Sequence, residues 1–177
     1  MTQIKTSKMK NVFLIAVLAI TVYSCTSGNQ NTAATADPHQ FGVNYDSSAN
    51  VDAIKATFTD LETFDTLSYV KKYSDTAVFY DNLRKTNLTE NVAMLRQFMA
   101  AGLKLKVNPK RYVWGSHFNF KDGTEGDYVY SYIVVTFTKG DKSVEVVNFQ
   151  GDKFNKDGKV IEEFIVYDQT PIMGLMK

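Results

Sequence analysis

The sequence predicts an α+β domain, in which helices from the first half of the chain pack on one face of a curled antiparallel sheet formed by the second half. Two observations support this prediction. Up to about residue 102, apolar residues recur at intervals of three and four, the spacing of one helix face. They then alternate with a period of two along runs that end in turn sequences such as 155–158. Helices followed by an antiparallel meander are typical of the α+β class.

Three helices are predicted in the first half of the domain. Asn50 and Asp65 can cap the first two helices, and Gly102 is a suitable end for the third. The predicted helices are 50–63, 66–73 and about 89–102.

The predicted strands are 76–80, 110–120, 127–139, 143–154 and 159–167, and 83–88 is predicted to be a loop.

Residues 1–24 have the features of an export signal. Lys5, Lys8 and Lys10 precede the apolar run 12–20, and no acidic residue accompanies them. The run is roughly nine residues long, which is too short to span a hydrocarbon core of about 30 Å. Its length is typical of the apolar region of a secretory signal peptide. We therefore predict that 1–24 is a signal peptide.

The end of this segment, Val22-Tyr23-Ser24-Cys25, resembles the lipobox of bacterial lipoproteins, although Tyr23 is bulkier than usual. The resemblance implies that Cys25 is acylated and that its acyl chains bind membrane lipid. Residues 26–36 lack large apolar side chains, so we predict a flexible tether over 25–49. No acidic run follows Cys25, which favours an outer-membrane anchor facing the periplasm of a bacterial cell envelope. The alternatives are an ordinary signal peptide with a chance cysteine and an uncleaved membrane anchor.

The composition argues against several kinds of partner. The 20 Lys and Arg residues nearly balance the 19 Asp and Glu residues, so we expect no nucleic-acid partner. Cys25 is the single cysteine, which excludes an internal disulfide and metal or haem sites that need two cysteines. No two histidines have the spacing of metal ligands, and no phosphate-binding loop occurs. We therefore expect no metal site and no cofactor.

Two segments, 67–81 and 153–164, resemble the nuclear transport factor 2-like superfamily, especially its SnoaL-like and ketosteroid-isomerase-like branch. The first is a helix followed by a short strand that ends in an acid, and the second is the final hairpin. The resemblance assigns 50–177 to this kind of domain. It implies a cone-shaped curved antiparallel sheet wrapped around the helices, with a largely apolar pocket at its open end.

The same resemblance implies candidate catalytic residues. Asp81 falls at the position of the catalytic base, although it could instead cap a turn. Gln150 falls where the isomerases keep an oxyanion acid, and its amide could donate a hydrogen bond to a carbonyl group. The expected tyrosine of the first helix is absent from 56–59, so steroid isomerisation is not predicted.

Other polar and aromatic residues are candidates for ligand binding. Asn148 shares a strand face with Gln150 and could point into a cavity or mark its rim. His117 could be a structural residue or an acid–base group. Trp114 and Tyr130 fit either sheet packing, a homodimer face or the pocket wall. Tyr130 or Tyr167 could donate a hydrogen bond to a ligand.

These features favour a membrane-tethered envelope lipoprotein whose pocket binds a small apolar ligand or a partner without catalysis. The alternative is an enzyme of the isomerase or cyclase type that transfers a proton next to a carbonyl group, with Asp81 as its base. A homodimer formed through the outer face of the sheet is compatible with both.

Overall fold

The computed structural model describes residues 42–108 and 112–177. The predicted signal peptide, Cys25 and most of the predicted tether lie outside the described residues. The helices are α1 (Ala49–Thr63), α2 (Thr66–Val70), α3 (Leu88–Ala100) and α4 (Thr170–Met176). The strands are β1 (Gly42–Tyr45), β2 (Tyr73–Asp81), β3 (Arg84–Asn87), β4 (Lys104–Val107), β5 (Tyr112–Asn119), β6 (Glu125–Lys139), β7 (Lys142–Phe154) and β8 (Val160–Tyr167).

The eight strands form one curved, open sheet. Its order is β1-β5-β6-β7-β8-β2-β3, and β4 pairs with the end of β6 beyond β5. All pairs are antiparallel except β2 with β8, which run parallel. Register shifts within the β2–β8 and β7–β8 pairs bend the sheet. The predicted α+β class with a curved, mainly antiparallel sheet is confirmed.

The core lies between the helices and the concave face of this sheet. Helix α1 contributes Val51, Ile54 and Phe58, which are spaced three and four residues apart, and all three are buried. They pack with the concave-face residues of β6, which alternate with residues that point outward. This alternation determines which strand residues point from the concave face of the sheet toward the helices.

The helix boundaries follow local capping. Ser48, rather than Asn50, caps α1, and its hydroxyl accepts a hydrogen bond of 3.2 Å from the amide of Val51. Asp65 caps α2 as predicted, with 3.0 Å between its carboxylate and the amide of Ser68. Helix α3 begins with a reciprocal capping box between Asn87 and Glu90.

Four short elements differ from the sequence prediction. Strand β1 pairs with β5, so the sheet includes residues 42–45 that we assigned to the tether. The segment predicted as a loop before α3 contains β3. Strand β4 and helix α4 were not predicted. Each of these elements is too short to show a clear period.

Among residues 42–108 and 112–177, no helix is long and apolar enough to cross a membrane.

Candidate functional site

A cavity lies between helices α1 to α3 and the concave face of the sheet. Its empty volume is about 810 Å³, including the solvent at its mouth. Most of its wall is apolar, as is usual for small-molecule sites. The apolar lining residues are Leu61, Phe79, Met94, Leu95, Phe98, Leu105, Val107, Ile133, Val135, Phe137 and Ile165.

A cluster of buried polar side chains forms one side of this cavity. Alternation along β7 places Asn148, Gln150 and Asp152 on the concave face, and all three are buried. Strand β8 places Glu163 directly opposite Asp152 in the register. Asp152 is 0% exposed and Glu163 is 8% exposed, so two carboxyl groups are held together away from water.

Hydrogen bonds from neighbouring side chains hold this cluster. The hydroxyl of Tyr73 donates to Glu163 Oε2 at 2.5 Å. The amide of Gln150 donates to both carboxylate oxygens of Asp152 at 3.1 and 3.0 Å, and lies 3.4 Å from Glu163 Oε2. On the helical side, the hydroxyl of Tyr69 donates to Asn91 Oδ1 at 3.0 Å.

Burial dominates the electrostatics of the two carboxyl groups. It raises the pKa of Glu163 to about 7 and the pKa of Asp152 well above its usual range, because water no longer stabilises the ionised forms. The hydrogen bond between the two carboxyl groups stabilises the carboxylate of Glu163 and the protonated form of Asp152. Near neutral pH the pair therefore retains a proton that it can share or transfer.

One acceptor in the cavity lining is unsatisfied. Asn148 is 4% exposed, and its Oδ1 atom has no hydrogen-bond partner in the part of the chain that the structure describes. A buried acceptor without a donor costs roughly 1–3 kcal/mol. A ligand that carries an N–H or O–H group would remove this cost.

Asp81 ends β2 and lines the same cavity. Its Oδ2 atom accepts from the hydroxyl of Tyr167 at 3.2 Å, and its Oδ1 atom lies 3.4 Å from Gln169 Nε2. Asn82, which follows it in the β2–β3 loop, accepts a hydrogen bond from the amide of Tyr167. Asp81 therefore links the turn to the end of β8 while remaining at the cavity wall.

The structure thus brings four of the predicted site residues to one cavity, namely Asp81, Asn148, Gln150 and Tyr167. We predicted that the amide of Gln150 could donate a hydrogen bond to a ligand carbonyl, and in the structure this amide donates to the buried carboxylate of Asp152. The amide is therefore engaged before any ligand carbonyl arrives.

The other predicted residues lie elsewhere. His117 lies near the end of β5, where its Nδ1 atom is 2.8 Å from Asp127 Oδ1. This hydrogen bond raises the pKa of His117. The pair does not line the cavity.

Trp114 and Tyr130 point away from the cavity, on the convex face of the sheet. Their ring centroids are 5.7 Å apart, and Tyr130 stacks on Phe149 with 5.9 Å between centroids. The strand period explains this placement, since even-numbered residues of β6 point outward. The cavity-wall interpretation of these two residues is therefore corrected to packing on the convex face.

Asp152 and Glu163 were missed by sequence reasoning. The face that carries Asn148 and Gln150 continues to Asp152 two residues later, so extending the alternation would have found it. Glu163 depended on the β7–β8 register, which contains a shift between Lys153 and Phe154.

No group of three metal-ligating side chains occurs within residues 42–108 and 112–177.

No protein-family model and no curated protein sequence matches the chain. Several solved structures share its fold. AclR of Streptomyces galilaeus, described as a hydroxylase, is 18% identical with a TM-score of 0.53, covering 72% of this chain and 94% of its own. An epoxide hydrolase of Mycobacterium tuberculosis is 13% identical with a TM-score of 0.53, covering 72% and 88%.

A third structure, from Shewanella putrefaciens CN-32, is described as a SnoaL-like polyketide cyclase. It is 13% identical with a TM-score of 0.51, covering 73% of this chain and 86% of its own. Identities this low establish the fold alone. The domain therefore shares its fold with these structures, one of which is described as a SnoaL-like polyketide cyclase.

Proposed function

We propose that the domain binds a small, largely apolar molecule in the cavity between its helices and its sheet. The observation that carries this proposal is the combination of an apolar wall with a compact polar cluster on one side. An apolar wall supplies affinity by releasing water, and a few polar groups fix the orientation of the ligand.

We also propose that an acylated Cys25 anchors the protein to a bacterial membrane, with the domain facing the periplasm. The support is the sequence of the export segment and its lipobox-like end. In this arrangement the cavity samples molecules at the cell envelope.

Native mass spectrometry of the protein purified from its own envelope tests the binding proposal. We expect a small molecule to remain bound to the wild-type protein. Met94 on α3 lines the cavity, so Met94→Trp should fill it and remove the bound mass.

Met99→Trp is the matched control, because Met99 lies on the same helix, is 52% exposed and does not line the cavity. It should retain the ligand. An equal bound mass in both variants would contradict binding at this site.

A second candidate function is acid–base catalysis on a small carbonyl compound. The specific observation is the pKa of Glu163, raised to about 7 by burial at the cavity wall. A group that titrates near neutral pH is suited to accept and return a proton. In this proposal Glu163, rather than Asp81, is the base, and Asp152 is its hydrogen-bonded partner.

Deuterium exchange into cyclohexanone in D₂O, followed by NMR, tests this candidate. We expect the wild-type protein to accelerate exchange and Glu163→Gln to lower that acceleration by about 10²-fold or more. Glu162→Gln is the matched control, since Glu162 is adjacent in the sequence but does not line the cavity. Acceleration that survives Glu163→Gln unchanged would exclude Glu163 as the base.

A further inference from the structure

We propose that the cavity selects a ligand with a cationic, hydrogen-bond-donating head group, such as an aliphatic ammonium, on an apolar body. This inference rests on the proposed binding function and names the chemical class of the ligand.

The first argument is the charge of the cavity. Asp81 and Glu163 line it, and Asp152 lies opposite Glu163 in the β7–β8 register. Among its lining residues in the described part of the chain there is no Lys, Arg or His. Lys72, which lies between α2 and β2, is paired with Asp60. A cluster of buried carboxyl groups is stabilised by a cation, and here the ligand would supply it.

The second argument is the unsatisfied acceptor. Asn148 lines the cavity on the same concave face as Glu163, and its buried Oδ1 atom has no donor among the described residues. An ammonium group has several N–H donors and no acceptor, so it could serve Asn148 and a carboxylate together. A carboxylate ligand has only acceptors and would also be repelled by the acidic groups at low dielectric.

The remaining wall determines the rest of the ligand. This part of the wall is formed by Leu95 and Phe98 of α3 and by Ile133, Val135 and Phe137 of β6. These side chains offer no hydrogen bonds, so the body of the ligand must be apolar.

The groups around Glu163 determine how binding depends on pH. They are Tyr73 and Asp81 from β2, Tyr69 from α2, and Gln150 and Asp152 from β7. The tyrosines stay neutral because burial raises their pKa. Affinity for an amine should therefore rise between about pH 6 and about pH 8, as Glu163 ionises while the amine remains charged.

Three probes that share a phenyl ring and differ in the head group test the inference. They are 2-phenylethylamine, 2-phenylethanol and phenylacetate, each titrated calorimetrically near pH 8 into the full-length protein in lipid nanodiscs. Empty nanodiscs provide the blank for partition into the bilayer. We expect the amine to bind at least tenfold more tightly than the alcohol, and phenylacetate to bind most weakly.

Glu163→Gln should abolish the preference for the amine, so that the affinities for the amine and the alcohol differ by less than about threefold. Glu162→Gln should keep the preference. The ranking of the three probes on the wild-type protein, and its rise with pH, remain decisive if Glu163→Gln does not fold.

Two kinds of result would overturn the inference. If the alcohol or phenylacetate binds as tightly as the amine, or if Glu163→Gln keeps the preference, the class of ligand is wrong and the binding cavity stands. If none of the three probes binds, both the inference and the proposed binding function fail.

Discussion

At the scale of single residues, the unusual feature is a pair of carboxyl groups in the same buried site. Glu163 and Asp152 face each other across β7 and β8, and their direct hydrogen-bond partners Tyr73 and Gln150 are uncharged. Burying acidic groups without a cation costs stability, and apolar residues of similar volume at these positions would avoid that cost. Strongly perturbed acids in a cavity are characteristic of functional sites.

The raised pKa of Glu163 predicts a pH dependence of stability. Its pKa is about 7 in the folded protein, from an ordinary value of 4.5, so the native state holds this proton more tightly. The stabilisation is complete below the ordinary pKa and is lost as pH rises through about 7. We expect the free energy of unfolding to fall by up to about 3 kcal/mol across this window.

Urea denaturation at a series of pH values measures this dependence. Glu163→Gln should make the profile less steep between pH 4.5 and about 7, although Asp152, whose pKa is also raised, still contributes to it, and should make the protein more stable than wild type above pH 7. A profile that is equally steep in this variant would show that other groups cause the effect.

Part of the site could be predicted from single residues. Asp81, Asn148, Gln150 and Tyr167 were predicted and meet in the cavity. The carboxyl pair could not be predicted in the same way, because Glu163 meets Asp152 only through the register of β7 and β8. A strand sequence shows which residues share a face, but not which residue of the next strand lies opposite.

At the scale of elements, β1 shows how a short strand is fixed by one close contact. Tyr45 pairs with Gly115 in the register. A Cβ atom added at residue 115 would lie 1.9 Å from Cε2 of the Tyr45 ring, which therefore occupies that space. Gly115 therefore provides the space in which Tyr45 packs against the core.

Gly115→Ala should displace Tyr45 and loosen β1. We expect a loss of about 1–3 kcal/mol of stability, the usual cost of an overpacked site. The urea midpoint measures it, with Gly174→Ala as the control, since a Cβ there meets no atom within 4 Å. An unchanged midpoint for Gly115→Ala would show that the ring moves aside at no cost.

The long elements of the fold were predictable and the short ones were not. Strands β6 and β7 have 15 and 13 residues, so their alternation is clear in the sequence. Strands β1, β3 and β4 have four residues each and gain their stability from their partners. Their existence depends on contacts distant in the chain, which a local pattern does not contain.

At the scale of the whole molecule, the predicted lipid anchor at Cys25 would hold the domain and its cavity at a membrane surface. Cys25→Ala should abolish incorporation of radiolabelled palmitate and release the protein from the membrane fraction. Ser24→Ala should keep both, because a small residue still precedes the cysteine. Equal membrane retention and equal label in wild type and Cys25→Ala would contradict the lipoprotein proposal.

The convex face of the sheet remains our predicted homodimer surface. Tyr112 is 71% exposed and Val147 is 49% exposed, beside the aromatic cluster of Trp114 and Tyr130. We expect Val147→Lys to weaken dimerisation at least tenfold in analytical ultracentrifugation. Leu83→Lys is the control, since Leu83 is 100% exposed in the β2–β3 loop. Purely monomeric wild-type protein would contradict the prediction.

The parallel pairing of β2 with β8 has a consequence for how the protein is made. Strand β8 lies between β7 and β2, so it is the only strand in the order that joins the β2–β3 hairpin to the rest of the sheet among the described residues. Among the described strands, β8 is also the last to be synthesised. Glu163 and the rest of the cavity wall therefore come together only after the seven preceding strands have been synthesised. Contacts this distant along the chain slow folding, so a product that lacks β8 would expose the apolar face of the sheet and would lack Glu163.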